Sequence, residues 1–299
     1  MKYIFVANGR TDKKEGNRHL AEVLSGIGSD VLDWEMYVTR EAGDATYYVR
    51  DHCRRHPGEK ICYVACGGDG TINEVATGLF GFEGKCMSVM AMGTGNDFVK
   101  YYPDKSFKSV EGIIGGTHHQ IDILQINKTR FSINVCNCGF ESIVCSIANR
   151  LSAKGETDPY NKGIIKAIIF RRRNRIVVHA DGERLNRRSM LLCTFANNRY
   201  VGGEFCCAPR AFNDDGLIDV CLVKPLSLLR FFALIPLYRN GEHLDSRRFR
   251  RIMKYRRARH IEIHSAKPTE LCLDGEMFAG RDFTIDIVPK GIDLIVPSK

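Results

Sequence analysis

No run in the sequence approaches the roughly 20 uninterrupted apolar residues that a membrane-spanning helix needs. The amino terminus, Met1-Lys2-Tyr3-Ile4-Phe5-Val6-Ala7-Asn8, lacks the longer apolar core and cleavage site of a signal peptide and reads as a strand. A cytoplasmic protein is therefore expected. Internal repeats and low-complexity segments are absent. So is the paired C-x-x-C spacing of a zinc ribbon, despite 12 cysteines. Cys136 and Cys138 form C-x-C and Cys206-Cys207 are adjacent. Cys62, Cys66, Cys193, Cys221 and Cys272 lie in apolar runs, where a thiol behaves as a small hydrophobe. Reduced core thiols follow for a cytosolic chain. There is no recognisable nucleic-acid reading module and no basic strand interleaved with aromatics.

What is present is a chain of 299 residues, 44% hydrophobic, ample for packed cores and large for a single one. Two domains are expected. Over residues 1–122 strands alternate with helices: strand 2–7, helix near 15–26, strand near 31–37, helix near 43–55, then two strand–glycine loop units. That alternation implies a parallel sheet covered on both faces. From about Gln120 the pattern changes to short apolar strands at 121–126, 130–137, 175–180, 190–196, 217–223, 259–264, 270–273 and 282–287, the spacing of an all-β sandwich or barrel. Ser227 to Tyr238 is apolar and helical in pattern. It serves either as a core-packing helix or as a membrane-facing element flanked by Arg230 and Arg239.

The most informative segment is Cys66-Gly67-Gly68-Asp69-Gly70-Thr71-Ile72-Asn73-Glu74. An apolar strand precedes it, and Ile72, Val75, Ala76 and Leu79 follow at helical spacing. Strand, glycine turn and helix start gather backbone N–H groups and the positive end of a helix dipole at one point, a cradle for polyphosphate. Asp69 adds a carboxylate there. A second loop, Gly93-Thr94-Gly95-Asn96-Asp97, follows the strand-like Ser88-Val89-Met90-Ala91-Met92. Two such turns at the carboxyl ends of neighbouring strands form a ligand cleft. Neither is a Walker A motif or a spaced G-x-G-x-x-G.

Gly67-Gly68-Asp69-Gly70-Thr71 followed by Gly93-Thr94-Gly95-Asn96-Asp97 resembles the diacylglycerol kinase catalytic domain family, which includes sphingosine, ceramide and soluble bacterial lipid kinases. The likeness continues through Ala208-Pro209, Asp214-Asp215-Gly216-Leu217-Ile218-Asp219-Val220 and Leu273-Asp274-Gly275-Glu276, so it covers essentially the whole chain. The first loop alone is shared with NAD kinases; the ordered set of four is more specific. One departure is Asn8-Gly9-Arg10 where the family's first strand usually ends in Asn-Pro. Glycine still permits a tight phosphate-facing turn, and Arg10 offers charge.

The resemblance implies an α/β plus β fold. An N-terminal parallel-sheet nucleotide-binding domain would span 1–124, completed by 291–299 through the strand Ile292-Asp293-Leu294-Ile295-Val296. A C-terminal antiparallel β-sandwich domain for the lipid substrate would span 125–290, with the active site in the cleft between the two. The implied activity is ATP- and magnesium-dependent phosphorylation of a lipid alcohol such as diacylglycerol. Asn8, Gly9, Arg10, Thr39, Gly67, Gly68, Asp69, Gly70, Thr71, Gly93, Thr94 and Gly95 would contact nucleotide. Glu74, Asn96 and Asp97 would contact substrate. Asp274 would be the general base, with Glu276, Asp97 and Asp69 as further catalytic acids. Asp122, Phe212, Asp215 and Leu217 would serve magnesium, including a structural site in the second domain. On residue type alone, alternatives stay open. Asp214-Asp215-Gly216 and Asp274-Gly275 also suit plain turns, Asp122 a turn or cap, and Thr39, opening a helical region, an N-cap.

The net charge is +9, with arginine clusters at Arg171-Arg172-Arg173 with Arg175, at Arg187-Arg188, and from Arg247 to Arg259. These are solvated faces or, together, a surface for nucleic acid or acidic lipid headgroups. Without a nucleic-acid module, peripheral docking on the inner face of an anionic membrane is the better expectation, with a homodimer open. Two other classes compete: an NAD kinase-like small-molecule kinase, and a non-catalytic membrane or nucleic-acid binding protein. Intact acids at every matched position speak against the latter.

Overall fold

The computed structural model describes residues 1–10, 14–27, 31–170, 173–187 and 189–298. They divide into two compact units, Met1–Asp122 with Pro289–Lys299, and Ile123–Val288. The chain passes from one to the other twice, within a strand each time.

The first unit contains β1 (Lys2–Ala7), α1 (Lys14–Gly26), β2 (Trp34–Val38), α2 (Asp44–Arg55), β3 (Ile61–Gly67), α3 (Asp69–Leu79), β4 (Lys85–Ala91), α4 (Val110–Ile114) and the start of β5 (Thr117–Ile126). Its strands β2, β1, β3 and β4 pair in parallel in that order. β3 is buried along its whole length, as its unbroken apolar run requires in a parallel sheet covered on both faces. Helix α3 buries Ile72, Val75, Ala76 and Leu79, the residues at helical spacing.

The second unit contains β6 (Arg130–Ser132), β7 (Val135–Gly139), α5 (Phe140–Ser152), α6 (Pro159–Phe170), β8 (Ile176–Ala180), β9 (Glu183–Arg184), β10 (Leu192–Ala196), β11 (Tyr200–Val201), β12 (Phe205–Cys206), β13 (Ile218–Val223), α7 (Leu228–Arg239), β14 (Met253–Ala258), β15 (His260–Leu273) and most of β16 (Glu276–Val296). Its pairings are antiparallel: β14 with β13, β13 with β10, β10 with β7, β7 with β15, and β15 with both β8 and β16. The end of β16 lies in the first unit, where Leu294 pairs in parallel with Met87 of β4.

Several elements differ from the sequence reading. Helices α5 and α6 occupy a stretch with the texture of β structure, because Ile143, Val144, Ile147, Ile164, Ile165 and Ile168 are strand formers by propensity. Packing overrides that preference: Phe140, Val144, Ala167 and Ile168 join one apolar cluster with Phe231 and Leu234 of α7. The pieces 259–264 and 270–273 are a single strand with a register shift between His264 and Thr269. Pro268 falls in this irregular stretch, where a missing N–H is tolerated. The expected strand 130–137 is broken at Ile133 and Asn134. All twelve cysteines are buried and free. Arg171, Arg172 and Arg188 lie outside the described residues.

Candidate functional site

In the first unit β3 delivers Gly67 to the start of α3, where Gly68 is the N-cap in extended conformation and offers no side-chain cap. The opening N–H groups of α3 are thus left for a ligand or solvent. Next to this turn Met92, just past β4, donates its N–H to Gly67 O at 2.9 Å. The amide of Asn96, at φ 49°, closes the second loop on itself, accepting from Gly93 N at 3.0 Å and donating to Gly93 O at 2.8 Å. Asn96, expected to touch substrate, is in this structure the staple of its own turn.

The same loop brings two acids together. Asp69 Oδ1 accepts from Phe98 N at 3.0 Å. A Cβ added to Gly95 would lie 3.1 Å from Asp69 Oδ2 and 3.7 Å from Asp97 Oδ2, so both oxygens face one small space. Burial, and then the neighbouring Asp97 charge, raise the Asp69 carboxyl above its ordinary range. Lys100 Nζ holds the other Asp97 oxygen at 2.7 Å. Lys100 was missed in the sequence; its only signal is a position three residues after Asp97 in a helical turn.

Asn8, Arg10, Thr39, Gly70, Thr71 and Glu74 share a pocket of about 240 Å³ with Arg40, Glu41, Ala42 and Ala45. Asn8 Nδ2 donates to Thr71 Oγ1 at 3.2 Å, and Thr39 Oγ1 accepts from Gly9 N at 3.1 Å. Thr39 is therefore not a helix cap; α2 begins later, with Gly43 as N-cap. A Cβ at position 9 would sit 1.9 Å from Thr39 O, which explains glycine here in place of proline. Glu74 accepts from Gly43 N at 2.9 Å and Ala45 N at 3.2 Å, capping α2 from a neighbouring helix. Because α2 has no side-chain cap of its own, Glu74 has this structural duty whatever else it touches.

In the second unit Asp274 sits between β15 and β16 at φ 48°. Its carboxylate accepts from Ile133 N at 2.8 Å, Val135 N at 2.8 Å and Asn134 N at 3.2 Å. These bonds account for the break between β6 and β7. Burial pushes this carboxyl up to about 7, against the opposing pull of the backbone donors. Asn149 of α5 donates to Gly275 O at 3.0 Å and steadies the turn. Glu276, two residues on, is exposed at the start of β16. An apolar pocket elsewhere in this unit, about 50 Å³, is lined by Phe140, Val144, Ile164, Phe231 and Ile235 around the Glu141 carboxyl. Glu141 accepts from Tyr238 Oη at 2.7 Å and Thr194 Oγ1 at 2.9 Å, and burial raises it. No motif pointed to it.

The residues expected to serve a structural magnesium, Phe212, Asp215 and Leu217, lie in and beside the turn that leads into β13. Asp215 Oδ1 accepts from Leu217 N at 3.0 Å, and its other oxygen is bonded to the Arg257 guanidinium, which also approaches Asp219 Oδ2 at 3.6 Å. Arg257 thus partners the Asp215 carboxylate here, as Lys100 partners Asp97. Phe212 lies under Arg199, its ring centroid 5.2 Å from the guanidinium carbon. Asp122 belongs to the first unit, fully buried, and accepts from Lys290 N at 2.8 Å. The Asp69–Asp97 pair fits a hard cation, since two mutually repelling carboxylates share one space.

The arginines from 247 to 259 do not act as one cluster. Arg256 pairs with Glu183 at 3.4 Å and Arg257 with Asp215. Arg247, Arg248, Arg250 and Arg251 instead join Arg230 around a groove of about 780 Å³ floored by Ala233, Leu234 and Ile252. Helix α7 has a core-facing side and an exposed apolar side. It buries Phe231, Leu234 and Tyr238, and exposes Leu229 (85%) and Phe232 (55%). Among the described residues no helix is long and apolar enough to cross a membrane.

Residues 2–126 match the diacylglycerol kinase catalytic domain, and residues 134–296 match the YegS C-terminal NAD kinase beta sandwich-like domain. The chain is 28% identical over 278 residues to a protein of Bacillus subtilis (strain 168) named diacylglycerol kinase, covering 91% of this chain and 88% of that one. It is 26% identical over 305 residues to a Yersinia pestis (strain Pestoides F) protein described as a probable lipid kinase YegS-like, covering 98% and 96%. A solved structure of a diacylglycerol kinase from Bacillus anthracis str. Sterne is similar at TM-score 0.68 and 19% identity, covering 99% of this chain and 96% of that one. At that identity the likeness concerns the fold.

Proposed function

Because the chain belongs to the diacylglycerol kinase catalytic domain family and is a lipid kinase, we propose that it transfers the γ-phosphoryl group of ATP to the hydroxyl of a diacylglycerol-like lipid with the help of magnesium. The observation that carries this reading is the meeting of Asp69 and Asp97 beside the open amino end of α3. The pocket next to it, lined by Asn8, Arg10, Thr39 and Thr71, receives the nucleotide. Gly67, Gly68, Gly70, Gly93 and Gly95 keep the loop backbones free to approach phosphate, and Thr94 stands between two of them with its hydroxyl as a further donor. Asp69 and Asp97 would hold magnesium, and the bound ion would supply positive charge against that developing on the transferred group.

Phosphoryl transfer asks little covalent chemistry of the protein beyond positioning and a base for the attacking hydroxyl. Asp274 takes that proton. A carboxyl near 7 is matched to proton abstraction at neutral pH, and three N–H groups fix its orientation. Glu276 orients the hydroxyl or its water. The apolar pocket around Phe140 and Phe231 takes a short stretch of hydrocarbon.

The substrate resides in a bilayer, so the enzyme docks peripherally on the cytoplasmic face. Arg230, Arg247, Arg248, Arg250 and Arg251 meet acidic headgroups while Leu229 and Phe232 insert. Thin-layer separation of radiolabelled product from ATP and a lipid panel tests the activity. A labelled phosphatidic acid-type product that requires magnesium is expected. Labelling of NAD with no labelled lipid would overturn the reading.

A further inference from the structure

The solvent-facing side of the β8–β15 pair carries a cluster of ligand atoms with no part in the phosphoryl chemistry. His179 of β8 stands directly opposite Glu262 of β15, and His264 follows two residues later on the same face. The intervening Val178, Ile261 and Ile263 point the other way, into the core. One ligand atom from each of His179, Glu262 and His264 lies within 4.8 Å of the other two. The imidazoles meet edge to face, with centroids 5.8 Å apart.

We propose that His179, Glu262 and His264 form a site for a divalent transition metal of the zinc type. Two imidazoles and a carboxylate are the donor set of open zinc sites, with a fourth position left for water. A tetrahedral ion with bonds of about 2.0–2.2 Å holds its ligands about 3.4 Å apart, so modest side-chain rotation closes the triad. The surrounding contacts suit an ion. His264 Nδ1 is hydrogen-bonded to Asp282 Oδ1 at 2.9 Å, the carboxylate–histidine arrangement that orients a ligand ring. Among the described residues the buried His179 Nδ1 has no hydrogen-bond partner. Arg184, opposite His179 in β9, turns its Nε to Asn186 O. Glu262 approaches His260 Nε2 at 3.7 Å.

Imidazole donors select zinc, copper or nickel over magnesium, so this site is chemically separate from the Asp69–Asp97 pair. An ion here ties β8, which among the described residues pairs with β15 and β9, to the body of its sheet.

Calorimetric titration of the chelator-treated full chain with zinc chloride tests the proposal, with magnesium chloride as control. One zinc per chain is expected, with no matching magnesium heat, and a zinc-dependent rise in melting temperature. His264→Ala and Glu262→Gln, both at accessible positions, should each weaken zinc at least about 10-fold, and Asp282→Asn about 10–100-fold. Far-UV circular dichroism identifies any variant that misfolds, and the other then decides. Wild-type zinc affinity in folded His264→Ala and Glu262→Gln, or equal binding of magnesium at this site, overturns the proposal.

Discussion

Gly68 and Gly93 touch through their backbones: a Cβ added to Gly93 would lie 2.4 Å from the Gly68 Cα. The two phosphate loops are therefore one packed unit, and the contact leaves no room for a side chain between them. Gly93→Ala should force the loops apart and lower both the melting temperature and nucleotide affinity. Gly70 differs, because nothing lies within 4 Å of an added Cβ. Since it sits in the first turn of α3, Gly70→Ala should hold or raise stability by up to about 1 kcal/mol, the helix-propensity difference. It should still weaken ATP, because the new methyl group occupies the phosphate approach. Calorimetry with ATP alongside thermal melts separates the two; unchanged affinity in folded Gly70→Ala means the loop is only a turn.

Asp274 gives a pH signature. Its carboxyl is raised by burial to about 7, whereas an unperturbed aspartate ionises near about 3.9. The folded state thus holds the proton more tightly than the unfolded chain. This group's contribution to stability is complete below about pH 4 and is lost as pH rises through the folded value. A base must be ionised, so the rate should climb across the same interval and level off above about 7. Asp274→Asn should lower the rate about 10²–10⁴-fold and abolish that acid limb. It should also cost about 1–3 kcal/mol of stability, because the amide turns a donor toward N–H groups that now lack an acceptor. A wild-type pH–rate profile in the variant would move the base role to another acid.

Glu74 separates a structural duty from a substrate contact. Glu74→Ala removes the acceptor at Gly43 N and Ala45 N and should cost about 0.5–2 kcal/mol, the range for a lost helix cap. With a purely structural role the Michaelis constant for lipid stays near wild type in the folded fraction. A raised constant in the isosteric Glu74→Gln, with little change in melting temperature, would add substrate contact to the cap.

The five-arginine groove predicts salt-sensitive docking. Each basic side chain near an anionic bilayer contributes about 1 kcal/mol, screened within a Debye length. Charge reversal at Arg250 and Arg251 together with Lys254 should weaken co-sedimentation with acidic vesicles and activity on them. Activity on a short-chain dispersed substrate should be spared. Reversal at Arg256 or Arg257 should affect docking less, since those residues are paired with Glu183 and Asp215. Equal loss on both substrates would place the groove arginines in the fold or the active site.

Much of this molecule was legible before its structure. The strands β1, β3 and β4 announce themselves as short apolar runs, and the loops after β3 and β4 as glycine clusters with acids, because local backbone geometry constrains which residues can stand there. That local code also set Asp69 and Asp97 in the two glycine loops, whereas Asp274 became a candidate base only through the resemblance to the family. Tertiary structure decided what depends on neighbours remote in sequence. Ile-rich and Val-rich segments became α5 and α6 because an apolar cluster with α7 outweighed their β propensity. Strand 130–137 was broken by a carboxylate from Asp274, far along the chain. Asp215, in a turn, gained the guanidinium of Arg257 on β14 as its partner. Glu262 and His264 are near in sequence but gain His179 only through the register of β8 against β15. Residue type and spacing encode what a segment can do; burial, pairing and register determine which of those capacities the folded chain uses.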